Sequence, residues 1–97
     1  MVKHVILWKI KDSEDKAAVA QGVKDGLESL VGVVPGLLRA QVVIAEMNSC
    51  TADVMLDSDF ESPEALHAYK THPAHVAVAN GKVRPYMEVR LCMDYEI

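Results

Sequence analysis

The spacing of apolar residues constrains this 97-residue chain most, because it alternates between the two periods that distinguish strands from helices. Apolar residues at every second position indicate a strand with one buried face, whereas apolar residues three and four positions apart indicate a helix with one buried side. The chain therefore has six segments in the order strand, helix, strand, strand, helix, strand. They cover residues 2–11, 12–34, 37–47, 52–60, 62–87 and 88–97, and the second helical segment is divided at Pro73.

Residues with strong positional preferences set the expected limits of the helices. Asp12 or Ser13 is expected to cap the first helix, which should end before the helix-breaking pair Pro35-Gly36. Ser62 is expected to cap the second helix, because it precedes a proline that suits the first helical position.

The order of the segments predicts one domain over residues 1–97, since no linker or repeat interrupts them. A β-α-β-β-α-β order predicts an α+β, ferredoxin-like fold with a four-stranded antiparallel sheet. Both helices would cover one face of that sheet, and the other face would be bare although it carries Val5, Leu7 and Met55. Because a monomer would expose these side chains to water, the sequence predicts a homodimer in which two bare sheet faces meet.

Composition and charge argue against binding to nucleic acids or membranes. The formal net charge is −4, only 5% of the residues are aromatic, and no run of Lys and Arg could follow a phosphate backbone. The amino-terminal VKHVILWKIK is too short and too charged for a membrane span or a secretion signal. Cys50 and Cys92 lie in no CxxC pair, so we expect free thiols, with Cys50 exposed and Cys92 buried, and a reducing cytoplasmic location.

A tyrosine and two histidines cluster around Pro73 in the segment AYKTHPAHVAVANGK, residues 68–82. Because the residue before a proline is pushed out of the helical region, His72 should form a corner between two helical pieces. On one unbroken helix, Tyr69 and His75 would point to different sides, but a corner can turn both side chains toward one space. These two residues are therefore the candidate catalytic pair.

The chemistry expected of this pair is acid–base catalysis. His75 would lie in the first turn of a helix, whose positive end disfavours imidazolium, and a neutral imidazole can act as a general base. The Tyr69 hydroxyl could hold a substrate oxygen, and His4, Trp8 and His72 are the other residues of the expected pocket. The sequence has no phosphate-binding glycine loop, nucleophile elbow or HExxH motif, and we predict no cofactor.

Each of these residues also has a purely structural interpretation. His72 could cap the helix that follows it, His75 could be a packed or surface histidine, and His4 could be a core histidine with satisfied hydrogen bonds. Tyr69 and Trp8 could be ordinary core residues. His72 and His75 could share a metal ion on one helix face, but no third ligand has a matching spacing, and we predict no metal site.

Several motifs spread over nearly the whole chain resemble those of one protein family. They are VKHVILWKIK at the start, VPG after the first helix, DSDFESPEAL at the third strand, YKTHPAHV, and the closing DYEI. In these motifs the chain is similar to the stress-responsive α/β-barrel (Dabb) domain family of the dimeric α+β barrel superfamily. The resemblance implies ferredoxin-like subunits that pair through their sheets into a barrel, and some plant members are linked to stress tolerance.

The resemblance also implies roles for three residues. A plant cyclase of the family performs a cofactor-free intramolecular aldol cyclisation of a polyketide, and its motif matches this chain at His75, Tyr69 and His4. The corresponding roles are those of a base, a substrate-orienting hydroxyl and a pocket wall. That cyclase has a tyrosine on its first helix, which QGVKDGLES lacks, so the resemblance does not carry over its substrate.

Two functions are consistent with the sequence. The first is that of a cytoplasmic homodimer whose pocket, between sheet and helices, binds a small apolar or aromatic, polyketide-like molecule or acts on it without a cofactor. The alternative is a non-catalytic stress-response or protein-interaction module in which the histidines serve structure alone. A cavity that reaches both Tyr69 and His75 is the first requirement of the enzymatic interpretation.

Overall fold

The computed structural model describes all 97 residues and contains four strands and three α-helices. In chain order these are β1 (Val2–Ile10), α1 (Lys16–Glu28), β2 (Leu37–Ile44), β3 (Val54–Phe60), α2 (Pro63–Thr71), α3 (Pro73–Val78) and β4 (Met87–Glu96). A π-helical turn (Ala79–Val83) and a 3₁₀ turn (Arg84–Tyr86) connect α3 to β4. The predicted β-α-β-β-α-β order is confirmed, including the division of the second helical segment at Pro73.

The four strands form one antiparallel sheet in the order β2-β3-β1-β4, which is the ferredoxin-like arrangement. β1 is a central strand, and its alternate residues from Val2 to Ile10 are buried on the face that the helices cover. This alternation brings His4 and Trp8 to that face. The pairing of β1 with β4 places Asp94 directly opposite His4. The Asp94 carboxylate is therefore next to the His4 ring.

The core lies between the sheet and the helices. Val23 and Leu27 of α1 and Leu66 of α2 are buried against strand residues, of which Phe60 is completely enclosed. Apolar area removed from water in this way is the main favourable contribution to folding, at about 25 cal/mol for each Å². The longest helix, α1, has 13 residues, and no helix has the length and apolar character needed to cross a bilayer.

The first helix is shorter at both ends than its apolar spacing indicates. Its cap is Asp15, whose carboxylate accepts a hydrogen bond from the backbone N–H of Ala18 at 3.1 Å, and not Asp12 or Ser13. The helix ends at Glu28, well before the proline–glycine pair, and the turn that follows passes through Gly32, whose φ of +87° lies outside the helical region.

The second helical segment has the predicted caps and corner. The Ser62 hydroxyl accepts a hydrogen bond from Ala65 N–H at 3.1 Å and begins α2. His72 has φ −63° and ψ 132°, an extended conformation that interrupts the helix before Pro73. The π-helical turn and the 3₁₀ turn then connect α3 to β4, the strand at the edge of the sheet.

The face of the sheet that no helix covers, here called the open sheet face, is largely apolar around Leu7 and the first half of β4. Six large side chains on it are between 37% and 65% exposed. They are Leu7, Val43, Val89, Leu91, Met93 and Tyr95. At the opposite end, Lys3 pairs with Asp57 at 2.8 Å and with Asp59 at 2.6 Å, and Arg39 contacts Asp57 at 3.1 Å. The open sheet face thus has a charged end and an apolar end.

Both cysteines are exposed in the chain. This agrees with the expectation for Cys50, but the prediction that Cys92 is buried is wrong. β4 is an edge strand, and its residues after Met87 are exposed on both faces because the helices do not extend over it. The apolar residues next to Cys92 in the sequence therefore do not indicate that its side chain is buried, because β4 lies at the edge of the sheet.

Candidate functional site

A cavity of about 390 Å³ lies between the helix-covered face of the sheet and the segment from α2 to the start of β4. Nine of its 15 lining residues are hydrophobic, and the helix-facing side chains of β1 form its floor. Four residues singled out from the sequence lie in its wall, namely His4, Trp8, Tyr69 and His75. A cavity that reaches both members of the candidate catalytic pair therefore exists.

Tyr69 and His75 come together because the corner at His72 changes the direction of the chain between them. Tyr69 is the last buried residue of α2, and His75 lies in the short helix α3. Their ring centroids are 4.1 Å apart with an angle of 36° between the ring planes. Phe60 supports the tyrosine ring from the sheet, edge to face, at 4.9 Å. The two polar side chains are thus held side by side in one wall.

The environment of His75 favours its neutral form. Burial is the main cause that lowers the pKa of His75, and the positive charges of Arg84 and Arg90 contribute in the same direction. The His75 Nδ1 atom lies 3.3 Å from the backbone oxygen of Lys70, and a neutral ring can donate its N–H there. The sequence-based expectation of a neutral imidazole agrees with this direction, although the dominant cause is burial and not the helix dipole.

The environment of Tyr69 favours the protonated hydroxyl. The side chain is almost completely buried, and burial raises the pKa of Tyr69 to about 12. A phenol with such a pKa keeps its proton at neutral pH and can donate a hydrogen bond to a carbonyl oxygen. Tyr69 and His75 thus offer one proton donor and one proton acceptor on the same side of the cavity.

His4 is buried on the helix-covered face of the sheet, where both its ring and its backbone oxygen are hydrogen-bonded. Its Nδ1 atom bonds to the Asp94 carboxylate, and the Ser58 hydroxyl donates to the His4 backbone oxygen at 2.8 Å. Burial lowers the pKa of His4, so the neutral ring donates its Nδ1–H to the carboxylate, which can only accept. His4 therefore combines both earlier interpretations, because it is a satisfied core histidine that also lines the cavity.

The structure does not bring His72 to the cavity. Its Nδ1 atom accepts a hydrogen bond from the backbone N–H of Ala74 at 3.1 Å, which makes it the cap of α3. His72 is not among the residues that line the cavity, so the structure places it at the corner between α2 and α3 and not in the pocket wall.

Three residues that matter to the site were not found from the sequence: Asp94, Arg84 and Arg90. Asp94 is the partner of His4, and the two arginines line the cavity. Alternation along β4 places Arg90 and Asp94 on the same strand face. In the strand order of the ferredoxin-like fold, β4 lies beside β1. The sequence could therefore have predicted that this face of β4 lies next to His4.

One cluster offers atoms of the types that bind metals. His4 Nδ1, Cys92 Sγ and an Asp94 oxygen lie within 4.8 Å of one another, and imidazole, thiolate and carboxylate are all zinc ligands. The His4 nitrogen and the Asp94 oxygen are already hydrogen-bonded to each other, however. The positive charge of Lys70 also acts on all three groups and opposes a cation there. The cluster is accounted for as the polar anchor of His4.

The family of the chain follows from its similarity to known proteins. The family model of the stress-responsive A/B barrel domain (Dabb) matches residues 2–97. A stress-response A/B barrel domain-containing protein of Arabidopsis thaliana is 28% identical over 96 residues. That match covers 98% of this chain and 36% of the Arabidopsis protein, so the chain spans little more than a third of the curated relative.

Solved structures agree with the family match. A dimeric protein of unknown function with a ferredoxin-like fold, from Bacteroides fragilis, is 29% identical and has a TM-score of 0.91, with 99% of this chain and 95% of that chain covered. A protein from Arabidopsis thaliana is 26% identical with a TM-score of 0.81, and the match covers 100% of this chain and 95% of the other. The chain belongs to the stress-responsive A/B barrel domain (Dabb) family.

Proposed function

We propose that this protein binds a small apolar or aromatic molecule in the cavity and acts on it by acid–base catalysis without a cofactor. The observation that carries the proposal is the mainly apolar cavity of about 390 Å³ with Tyr69 and His75 side by side in its wall. Concave apolar sites with a few convergent polar groups are typical of small-molecule binding. The resemblance to a family with a cofactor-free cyclase points in the same direction.

In the proposed mechanism, His75 removes a proton from a carbon next to a carbonyl group. Donation of Nδ1–H to the Lys70 backbone oxygen leaves Nε2 as the basic nitrogen, and burial keeps the ring neutral and able to accept. Tyr69 donates its hydroxyl to the carbonyl oxygen, where negative charge develops as the proton leaves. The imidazolium then returns the proton to the product. A positioned general base of this kind contributes about 10²–10⁴-fold in rate.

His4 and Trp8 have a supporting role in this proposal. Both are buried residues of β1 on the floor of the cavity, and the bond to Asp94 fixes the orientation of the His4 ring. A fixed floor restricts the orientations that a bound molecule can take opposite Tyr69 and His75. The two residues therefore shape the cavity without taking part in proton transfer.

We further propose that the chain acts as a homodimer that pairs through the open sheet face. The apolar end of that face exposes several large side chains, which a partner would remove from water. The related Bacteroides fragilis protein is described as dimeric. We also propose a cytoplasmic location, which follows from the composition given above.

The experiment that tests the catalytic proposal is proton exchange at a weakly acidic ketone. The probe is 2-acetylnaphthalene in D₂O, and the loss of its methyl proton signal is followed by NMR with and without protein. The wild-type protein should accelerate the exchange, and His75→Ala should reduce the acceleration about 100-fold or more with unchanged circular dichroism. Tyr69→Phe should also reduce it, because the carbonyl loses its donor.

The matched control is His67→Ala, since His67 is an exposed histidine on α2 outside the cavity. It should leave the exchange rate unchanged. If the histidines were purely structural, His75→Ala would lower the free energy of unfolding, and wild type would neither bind the ketone nor speed its exchange. That result would favour the interaction-module interpretation and contradict the catalytic one.

A further inference from the structure

The cavity carries an excess of positive charge in an acidic protein. Lys70, Arg84 and Arg90 line it, and all three are exposed, so their charged ends stand at its mouth. Glu88 is the one carboxylate among the lining residues, and Lys9 Nζ lies 3.7 Å from it. The formal net charge of the whole chain is −4, so this concentration of cations does not reflect the average surface.

The three positively charged residues of the cavity also differ from most other lysines and arginines of the chain, because they have no carboxylate partner. Half of the ten Lys and Arg residues form ion pairs with Asp or Glu side chains. The paired residues are Lys3, Lys9, Lys16, Lys24 and Arg39. Lys70, Arg84 and Arg90 form none, although acidic residues outnumber basic ones in the chain. Unpaired guanidinium groups beside an apolar cavity are available to a ligand from outside.

The two arginines line the same cavity as the candidate catalytic pair, Tyr69 and His75. Arg84 Nη1 donates a hydrogen bond to the Asn80 side-chain oxygen at 2.7 Å, and this bond holds the guanidinium group in place. A guanidinium group has five N–H donors, so others can still bind a ligand. The positive charges of Arg84 and Arg90 both reach His75, where they contribute to lowering its pKa. An anion held by these arginines would therefore lie beside Tyr69 and His75.

We infer that the cavity selects a ligand with an apolar or aromatic body and one carboxylate group, with the carboxylate bound by Arg84 and Arg90 at the mouth. This inference rests on the proposed function of the cavity, and it further specifies that the bound molecule carries a negative charge. The planar fork of a guanidinium group matches the two oxygens of a carboxylate, and its charge strengthens each hydrogen bond. The apolar body then extends toward Trp8 and Tyr69, and Lys70 adds a third positive charge.

The test compares two probes of nearly equal shape that differ in charge, 2-naphthoate and 2-naphthamide. Isothermal titration calorimetry gives the dissociation constant of each for the wild-type protein. We expect 2-naphthoate to bind about tenfold more tightly or better, since hydrogen bonds to charged groups are stronger than those to neutral ones. Acetate at the same concentration should give no measurable binding, because it lacks the apolar body.

Two double variants separate the cavity cations from total charge. Arg84→Gln/Arg90→Gln should remove the preference for 2-naphthoate and leave the affinity for 2-naphthamide within about twofold, because the apolar contacts remain. Lys11→Gln/Lys82→Gln removes the same number of positive charges from residues outside the cavity that form no ion pair. This control should keep the full preference for the carboxylate.

The outcomes distinguish this inference from the proposal on which it rests. Equal affinity for the two probes in wild type, or an equal loss of preference in both double variants, would overturn the charge selection. In that case the binding of 2-naphthamide would still support a small-molecule cavity. If neither naphthyl probe binds to wild type, both the charge selection and the proposed cavity function are wrong.

Discussion

At the scale of single residues, the cavity separates two of the four histidines from the others. His4 and His75 lie in the cavity wall, and burial lowers the pKa of each below the ordinary value of 6.5. His67 is exposed on α2, and His72 is bonded to the backbone of α3. The same burial that favours the neutral form of His4 and His75 therefore makes the folded state sensitive to acid.

The sign of this pH dependence follows from proton binding in the two states. Below about pH 6.5 the unfolded chain takes up protons at both histidines, whereas the folded chain resists protonation because its pKa values are lower. The free energy of unfolding should therefore be highest above pH 6.5 and fall as the pH is lowered below it. Urea denaturation at pH 7.5 and pH 5.5 measures this difference.

Single variants assign the acid sensitivity to a residue. His75→Gln should reduce the difference in unfolding free energy between the two pH values, since a glutamine does not titrate. His67→Gln is the matched control, because His67 is exposed on α2 and lies outside the cavity. An equal effect of the two substitutions would show that burial of His75 is not the cause.

At the scale of elements, the joint between α2 and α3 depends on one side chain. His72 closes α2 in an extended conformation and caps α3 through the backbone N–H of Ala74. Removing a helix cap costs about 0.5–2 kcal/mol. His72→Ala should therefore lower the free energy of unfolding by about 1 kcal/mol, measured by urea denaturation, whereas His72→Asn should retain most of the stability because asparagine is also a capping residue.

The same pair of variants tests whether His72 contacts a ligand. His72 does not line the cavity, so His72→Asn should bind 2-naphthoate with the affinity of wild type. His67→Ala, on the exposed side of α2, is the control and should change neither stability nor affinity. Loss of affinity in a stable His72→Asn variant would contradict the assignment of this residue to the corner.

The elements could be predicted from the sequence where local spacing determines the outcome. Alternation in β1 placed His4 and Trp8 on the covered face, and the proline rule placed the corner before Pro73, because both effects act between neighbouring residues. The start of α1 was missed because several polar residues near it can act as caps, and only the folded chain selects Asp15. Local spacing alone does not decide among equivalent caps.

Contacts that depend on strand pairing were harder to predict. His4 and Asp94 are 90 positions apart in the chain and meet only because β4 pairs with β1 at the edge of the sheet. The exposure of Cys92 has the same origin, since it depends on how far the helices extend over β4. Periodicity within one strand does not reveal which neighbour covers it, so these features require the three-dimensional arrangement.

At the scale of the whole molecule, the two faces of the sheet have separate roles. The covered face holds the core and the cavity, and the open sheet face holds a charged end and an apolar end. A domain of this size buries a limited fraction of its surface, so a monomer that also exposes a large apolar area would be of modest stability. Pairing through the open sheet face would add buried area without covering the mouth of the cavity on the other side.

The dimer proposal predicts the effect of one charge on the open sheet face. Leu91 lies opposite Leu7 in the β1–β4 pair and is 63% exposed in the single chain, so Leu91→Asp should cost little in the fold of the subunit itself. In a dimer it would place a carboxylate in an apolar contact, where an unpaired charge is strongly unfavourable. Sedimentation velocity at micromolar concentration should show a dimer for wild type and a monomer for Leu91→Asp.

The matched control for this prediction is Val33→Asp, which adds the same charge at an exposed valine between α1 and β2, away from the open sheet face. It should remain a dimer. A wild-type protein that sediments as a stable monomer would contradict pairing altogether, and a dimeric Leu91→Asp would place the contact on another surface. Because the cavity lies within one subunit, a monomeric Leu91→Asp that keeps its fold should still bind 2-naphthoate, which separates assembly from ligand binding.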